Sequence, residues 1–418
     1  MNKGKAQQGG NLAMPGIVEF PDVVLEAQRR FGDLFKNEPE RRHFAEYLTG
    51  LLVADRKTVN GINAEFAQTT DQSCLNRWLT EVGWDVQALN RRRLAEHQES
   101  PQTRYSPRGV IPFDNTLVGH DGKHIEDVGW FWDHAAQRNI IAHDYLLSNY
   151  VCPSGAHYPL NFRRFRKRED CGEEVAFKDH TELFIELADE VETEKIPGDF
   201  TFDSYFTNQR ILNHVDGLQR NYVGDLKFNR KLQWQGRELK AAELAALIAP
   251  EDRKPVEVGE RRQWYFTVTV RIPGVNHRVR IVILWDRKNG AEAVKILVTN
   301  RTNWEVRRIL GVYRKRWTGT ETHHRDGKQH LGLGDCQVRN GEGQTRHMYL
   351  VLLAYSLLTA RMAQGRPCAG VFLKLTTIGE ACRAVWRETL GKTIQWVLER
   401  GKKDGWEWPR IQAYLALT

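Results

Sequence analysis

The chain reads as an α/β protein, and three observations say so. Between residues 110 and 228, β-rich runs alternate with amphipathic helical ones. Residues 17 to 100 carry helical periodicity alone, with apolar positions recurring three and four apart. Residues 264 to 299 hold three β-branched runs, after which helices resume to the end. The expectation is an α/β core split by a β-rich insertion and preceded by an all-helical N-terminal domain. A chain of 418 residues exceeds one ordinary core, so two or three domains, or one domain with a large insertion, are expected.

Taken in order, residues 1–16 ("MNKGKAQQGGNLAMPG") are polar and Gly-rich and predict a disordered tail, with no signal peptide. Residues 17–105 form the helical domain, for DNA binding or dimerisation. Its helices include "RRHFAEYLTGLLVA" (41–54), "VNGINAEFA" (59–67) and "SCLNRWLTEV" (73–82), the last two spaced as a helix-turn-helix would be. A plain helical bundle fits equally well. The polar, Pro-containing stretch 97–109 reads as a linker. Residues 106–229 then predict strands at 109–118, 139–151 and 157–165, a helix at 178–192, a strand at 199–206, a helix at 208–219 and a strand at 221–228. That order is the order of a ribonuclease H-like core. Residues 230–300 are the β-rich insertion, 301–365 the second part of the core, and 366–418 a C-terminal helical region. No internal repeat is evident.

Composition narrows the function classes. Hydrophobic residues at 41% and charged residues at 27% describe a water-soluble globular chain. The most apolar run, 348–358, is far short of the ~20 residues that span a bilayer. The 61 Lys and Arg against 53 Asp and Glu leave a net charge of +8, which favours a polyanionic partner. Local positive runs stand at 91–93 and at 163–168, where Arg163, Arg164 and Arg166 are candidate phosphate contacts. The six cysteines (74, 152, 171, 336, 368 and 382) form no CxxC and have no zinc-like histidine spacing. They read as reduced thiols in a cytoplasmic protein.

Chemistry concentrates in three acids. Asp114 follows Ile111, Pro112 and Phe113, and Asp203 follows Phe200, Thr201 and Phe202. A carboxylate in such apolar company is costly unless it is paired or binds a cation, although a strand-end acid capping a turn is the plainer explanation of either one alone. The third lies in "YRKRWTGTETHHRDGK" (313–328), which reads as one helix. At about 100° per residue, with Tyr313 as zero, Trp317 falls at roughly 40°, Glu321 at about 80°, His324 at about 20° and Lys328 at about 60°. An aromatic, an acid and a base therefore share one stripe. Three convergent carboxylates repel one another, and divalent cations relieve that repulsion. Mg²⁺ suits oxygen ligands, with Mn²⁺ as a substitute, and two such ions can clamp both oxygens of an in-line phosphoryl transfer.

The 313–328 stretch resembles the Tyr-Arg-Glu-Lys signature of insertion-sequence transposases of the Asp-Asp-Glu (DDE) superfamily. The signature reads Tyr, two residues, Arg, three residues, Glu, six residues, Lys. This chain has Tyr313, two, Arg316, four, Glu321, six, Lys328, one residue longer, with Gly319 placed to absorb a bulge. The segments 113–124, 202–206, 222–227, 328–339 and 346–358 are similar to the same enzymes, so the likeness spans roughly residues 110 to 360. The interval from Asp203 to Glu321 is longer than that from Asp114 to Asp203 and contains the β-rich segment, as in transposases with an insertion domain.

The resemblance implies that Asp114, Asp203 and Glu321 hold the metals, and that Tyr313, Arg316 and Lys328 contact phosphates. It implies cleavage at the ends of a mobile element, joining of the 3′-hydroxyls to target DNA, and two copies of the chain on the DNA. The partners would be terminal inverted repeats and target DNA, in a prokaryotic cytoplasm at the nucleoid. In relatives with an insertion domain an aromatic steadies a flipped base; Trp264 or Trp285 could serve, against the plainer role of core tryptophans. Asp121, Asp133 and Asp225 have turn or surface explanations, and His323, His324 and His347, near the site, read either as supporting or phosphate-contacting groups or, more plainly, as satisfied surface histidines. The alternative reading is a transposase-derived DNA-binding protein without catalysis, a repressor or targeting module. A nuclease that cleaves without joining would lack the signature helix.

Overall fold

The computed structural model describes residues 16–171, 175–259, 261–363 and 375–415. The expected tail up to residue 15, Cys368 and the start of the expected C-terminal region lie outside the described residues.

Five helices open the chain: α1 (Asp22–Phe31), α2 (Glu38–Val53), α3 (Val59–Ala64), α4 (Gln72–Thr80) and α5 (Val86–Gln98). Local chemistry sets their starts. Asn37, Thr58, Asp71 and Asp85 each accept a backbone N–H of the first turn, satisfying donors a helix leaves free. Every residue of α2 from His43 onward is buried, which marks it as the centre of its layer.

The α/β region follows with β1 (Val110–Gly119), β2 (Gly129–Asp133), β3 (Arg138–Val151), β4 (His157–Phe165), α6 (His180–Thr193), β5 (Asp199–Phe202), α7 (Gln209–Gly217) and β6 (Tyr222–Asp225). All but β2 fall where the sequence predicts them. Strand β3 runs antiparallel to β1 on one edge and to β2 and β4 on the other, whereas β1, β5 and β6 are mutually parallel. Strand β5 is shorter than expected and ends at Phe202, so Asp203 opens a turn.

Next come β7 (Lys231–Trp234), β8 (Arg237–Lys240), α8 (Ala241–Ala246), β9 (Lys254–Val258), β10 (Arg261–Val270), β11 (Val279–Trp285) and β12 (Lys295–Thr299). The hairpin β7–β8 turns through Gln235 and Gly236, both at positive φ, the geometry of a two-residue turn. Strands β9 to β12 do not stand apart as an insertion domain. Strand β12 pairs with β6, and β11, β10 and β9 continue outward, giving one ten-stranded mixed sheet. The even-numbered and odd-numbered residues of β11 are almost all buried, as expected of a strand covered on both faces.

The chain ends with α9 (Val306–Gly319), α10 (Glu321–His330), α11 (Gly341–Ala363), α12 (Ile378–Lys403) and α13 (Trp408–Tyr414). Helices α6 and α7 cover one face of the sheet through Phe184, Leu187, Ile211 and Leu212. Helix α9 covers the other, with Val306, Ile309 and Leu310 against Val110, Val223 and Leu297. The N-terminal helices have no core of their own. Phe31, Phe44, Tyr47, Leu51 and Trp78 share one cluster with Leu350, Leu353 and Tyr355 of α11 and Val385 of α12. The segment expected to be a linker is pinned as well: the Tyr158 hydroxyl donates to the Thr103 carbonyl (2.7 Å), and the Tyr150 hydroxyl accepts from the Ser106 N–H and donates to the Ser106 carbonyl. Helix α4 turns Leu75, Trp78 and Leu79 into this core. No helix among the described residues is long and apolar enough to cross a membrane.

Candidate active site

The pleat of β1 decides where its acid points. Phe113 packs on Phe184 of α6, ring centroids 4.4 Å apart, so Asp114, next along the strand, faces α9. Phe113 stands opposite Phe202 on the parallel neighbour. Asp114 and Asp203 therefore come next at the same level on adjacent strands.

Helix α9 delivers the third group. The stretch 313–328 is not one helix. It breaks for a single residue at Thr320, which ends α9 and precedes α10, while Thr320 N–H to Arg316 O and His324 N–H to Thr320 O bonds carry the chain across. Gly319 belongs at that point for packing reasons: a Cβ there would lie 2.4 Å from Pro112 Cγ and 2.7 Å from Val151 Cγ2. Its absence lets the helix end touch β1 and β3, and Glu321 starts α10 beside Asp114.

Arg316 Nη1 donates to Asp114 Oδ2 at 2.7 Å, and Thr320 Oγ1 donates to the same oxygen at 3.1 Å. Arg316 also lies 3.9 Å from Glu321 Oε1. Asp114 is 6% exposed. Burial pushes its carboxyl up to about 7; the Arg316 charge opposes that rise, and the Asp203 and Glu321 charges add to it. The three acids thus share one electrostatic environment. Among the described residues no three His, Cys, Asp or Glu side chains stand together at metal-ligand spacing. Here Asp114 is neutralised by the guanidinium.

Tyr313 reaches the neighbouring strand end. Its hydroxyl donates to Asp225 Oδ2 (3.3 Å), which also accepts from Lys295 Nζ (2.8 Å), and Lys295 lies 5.1 Å from the Tyr313 ring centre. Asp225 is therefore an ion-pair partner. Lys295 is the residue the sequence reading missed; a lone lysine opening an apolar strand was its signal. Lys328 is exposed on α10. Trp317, expected on the same stripe, is 63% exposed, and His324 is buried. The histidines differ from expectation. His323, His324 and His347 are all buried, His347 between the Tyr47 hydroxyl and the Gly332 carbonyl (both 2.9 Å). Burial, with Lys328 and Arg316 nearby, pushes His324 down to about 3.

The three candidate arginines of the basic run 163–168 are each ion-paired within the chain. Arg163 pairs with Glu186 and Glu190, Arg164 with Asp127 at 2.6 Å, and Arg166 with Asp127 at 2.7 Å. The two candidate stacking residues face one another across β10 and β11. Trp285 is 0% exposed with Arg253 over its ring, which makes it a core residue. Trp264 is half-buried. Asp133 caps its own turn through the N–H groups of Ala135 and Ala136. The five described cysteines are free thiols.

A family model described as "DDE superfamily endonuclease" matches residues 30–247, more than half of the chain, and one described as "Transposase DDE domain" matches residues 178–357. The chain belongs to the DDE superfamily of transposases. Together the two matches embrace Asp114, Asp203 and Glu321. Membership makes DNA the substrate class and a nuclease-type enzyme the activity class. The first match begins inside α1, in line with helices that share a core with the rest. No curated protein matches the chain.

Proposed function

We propose that the protein is a DNA transposase that cleaves the ends of its own mobile element and joins the freed 3′-hydroxyls to target DNA. The observation that carries this reading is that Asp114 on β1 and Asp203 at the end of the parallel strand β5 follow the paired residues Phe113 and Phe202, with Glu321 at the start of α10 close enough for its charge to act on Asp114. A buried carboxyl held up by burial and by two neighbouring acids fits a divalent cation, which would lower the energy of all three charged forms. Asp114, Asp203 and Glu321 would hold Mg²⁺, or Mn²⁺ in its place. Bound there, the ions supply activation of an attacking hydroxyl and stabilisation of the leaving oxygen.

The chain's own groups bind and orient the DNA strand. Lys328, exposed on the same face of α10 about two turns beyond Glu321, offers a point charge to a phosphate, and Lys295 with Tyr313 offers a second contact at the end of β6. Arg316 holds Asp114 in place, and its fork is available to a phosphate once a cation takes over the carboxylate. Half-buried Trp264 is the remaining candidate for stacking on a displaced base. Two copies of the chain would act together, one for each element end.

The experiment uses the terminal inverted repeats that flank the gene, purified protein and Mg²⁺, comparing wild type with Glu321→Gln. Cleavage at the repeat ends by wild type alone supports the reading. End binding by both proteins without cleavage, in Mg²⁺ and Mn²⁺ alike, would establish instead a DNA-binding protein derived from a transposase.

A further inference from the structure

Behind the three acids, on the face of the sheet that carries α6, lies a largely buried pair outside the proposed metal ligands. Asp144 of β3 is 3% exposed, and its Oδ2 accepts from Nε2 of His180 at 2.7 Å. His180 is the first residue of α6, and its ring is stacked on Phe165 with centroids 4.1 Å apart. Because a carboxylate only accepts, Nε2 carries a proton and donates it to Asp144, which leaves Nδ1 facing away from the pair. The Tyr205 hydroxyl meets Nδ1 at 3.1 Å. On its other side Asp144 accepts from Nδ2 of Asn115 at 3.1 Å.

Asn115 and Tyr205 have a second property in common. Asn115 donates its backbone N–H to Oδ1 of Asp114 at 3.1 Å, and Tyr205 donates its backbone N–H to Oδ1 of Asp203 at 2.9 Å. Asp114 on β1 and Asp203 just past β5 are therefore each steadied by a backbone N–H whose own residue is tied, through its side chain, to the same Asp144–His180 pair. An N–H at Oδ1 fixes the rotation of a carboxylate, which directs the other oxygen; for Asp114 that oxygen is the one facing Arg316 and Thr320.

We infer that Asp144, His180, Asn115 and Tyr205 are positioning residues that aim the carboxylates of Asp114 and Asp203 at a shared divalent cation. The inference rests on the proposed role of those two acids. Tyr205 is 51% exposed, so its hydroxyl is not needed to fill a core, and its bond to His180 has an orienting use instead.

The test is Mn²⁺ binding to the metal-free full-length protein, followed by the spectrum of the bound ion, together with DNA-end cleavage at graded metal concentration. Tyr205→Phe removes one hydroxyl and keeps the ring. It is expected to weaken Mn²⁺ binding about fivefold to tenfold, the worth of one net hydrogen bond, with DNA-end affinity and melting temperature unchanged. Cleavage by Tyr205→Phe should fall at low metal and recover at high metal. His180→Ala should weaken Mn²⁺ binding as well, and Tyr205→Phe added to it should cost nothing more. Wild-type Mn²⁺ affinity in Tyr205→Phe overturns the inference alone, as does a lowered melting temperature with unchanged affinity. A wild-type protein that binds Mn²⁺ but never cleaves counts against the proposed function alone. A wild-type protein that binds no Mn²⁺ overturns both.

Discussion

Arg316 Nη1 lies 2.7 Å from Asp114 Oδ2, an ion pair formed between a helix and a strand about two hundred residues apart in sequence. The arginine comes from the stretch whose resemblance drew attention to it, and the aspartate is the first of the acids proposed as ligands. In this state the guanidinium supplies the positive charge that the acid cluster requires.

That pair predicts the behaviour of Arg316→Ala. The change leaves Asp114 buried beside Asp203 and Glu321 with no countercharge, and removing one partner of a buried pair typically costs about 3–5 kcal/mol. The cost should be large at pH 8 and smaller at pH 6, where Asp114 takes up a proton instead. Mg²⁺ should raise the melting temperature of the variant more than that of wild type. Urea denaturation at the two pH values checks this, and an equal loss at both would show that charge is not the cause.

The Asp114 carboxyl makes its own prediction in metal-free buffer. An aspartate in the unfolded chain titrates near pH ~4, whereas the folded group titrates at about 7. Between those values the folded state binds the extra proton, so stability is greatest at the acid end and falls as pH rises from about 4 to about 7. Above that it levels off. The component is on the order of a few kcal/mol, and Asp114→Asn should remove it. Unfolding free energies at pH 5 and pH 8 in EDTA provide the measurement; the same loss in wild type and variant would mean the carboxyl does not titrate there.

Gly319→Ala tests the close approach of α9 to the sheet. Alanine is the better helix former by about 1 kcal/mol, yet its Cβ would meet Pro112 and Val151 inside contact distance. The expected net result is a destabilisation of about 1–3 kcal/mol and slower DNA-end cleavage, because Glu321 starts two residues on. Gly311, on the same helix with open space around it, is the control: Gly311→Ala should be neutral or stabilising by up to ~1 kcal/mol. A stabilised Gly319→Ala would remove the packing argument.

The sequence by itself determined the element order of the α/β core, because periodicity and strand composition are local properties. Asp114 and Asp203, the acids proposed here as ligands, stand out for the same reason, each a lone carboxylate beside apolar residues, whereas Glu321 stands out by its place in a spaced motif. Other features depended on which surfaces meet. "RVRIVILW" declares a strand but not its neighbour, so only the fold could show β12 joining β6 and turning an expected insertion into the far half of one sheet. The N-terminal helices declared an apolar face but not its partner, which proved to be α11 and α12. The run 163–168 looked like a phosphate grip until Glu186, Glu190 and Asp127 took up its charge. The stripe assumed an unbroken helix, and a one-residue break at Thr320 with Gly319 against Pro112 reset its phase. Lys295, His180 and Asp144 carry no motif at all. Side-chain pairing acts between positions far apart in the chain, and it is fixed when the layers pack.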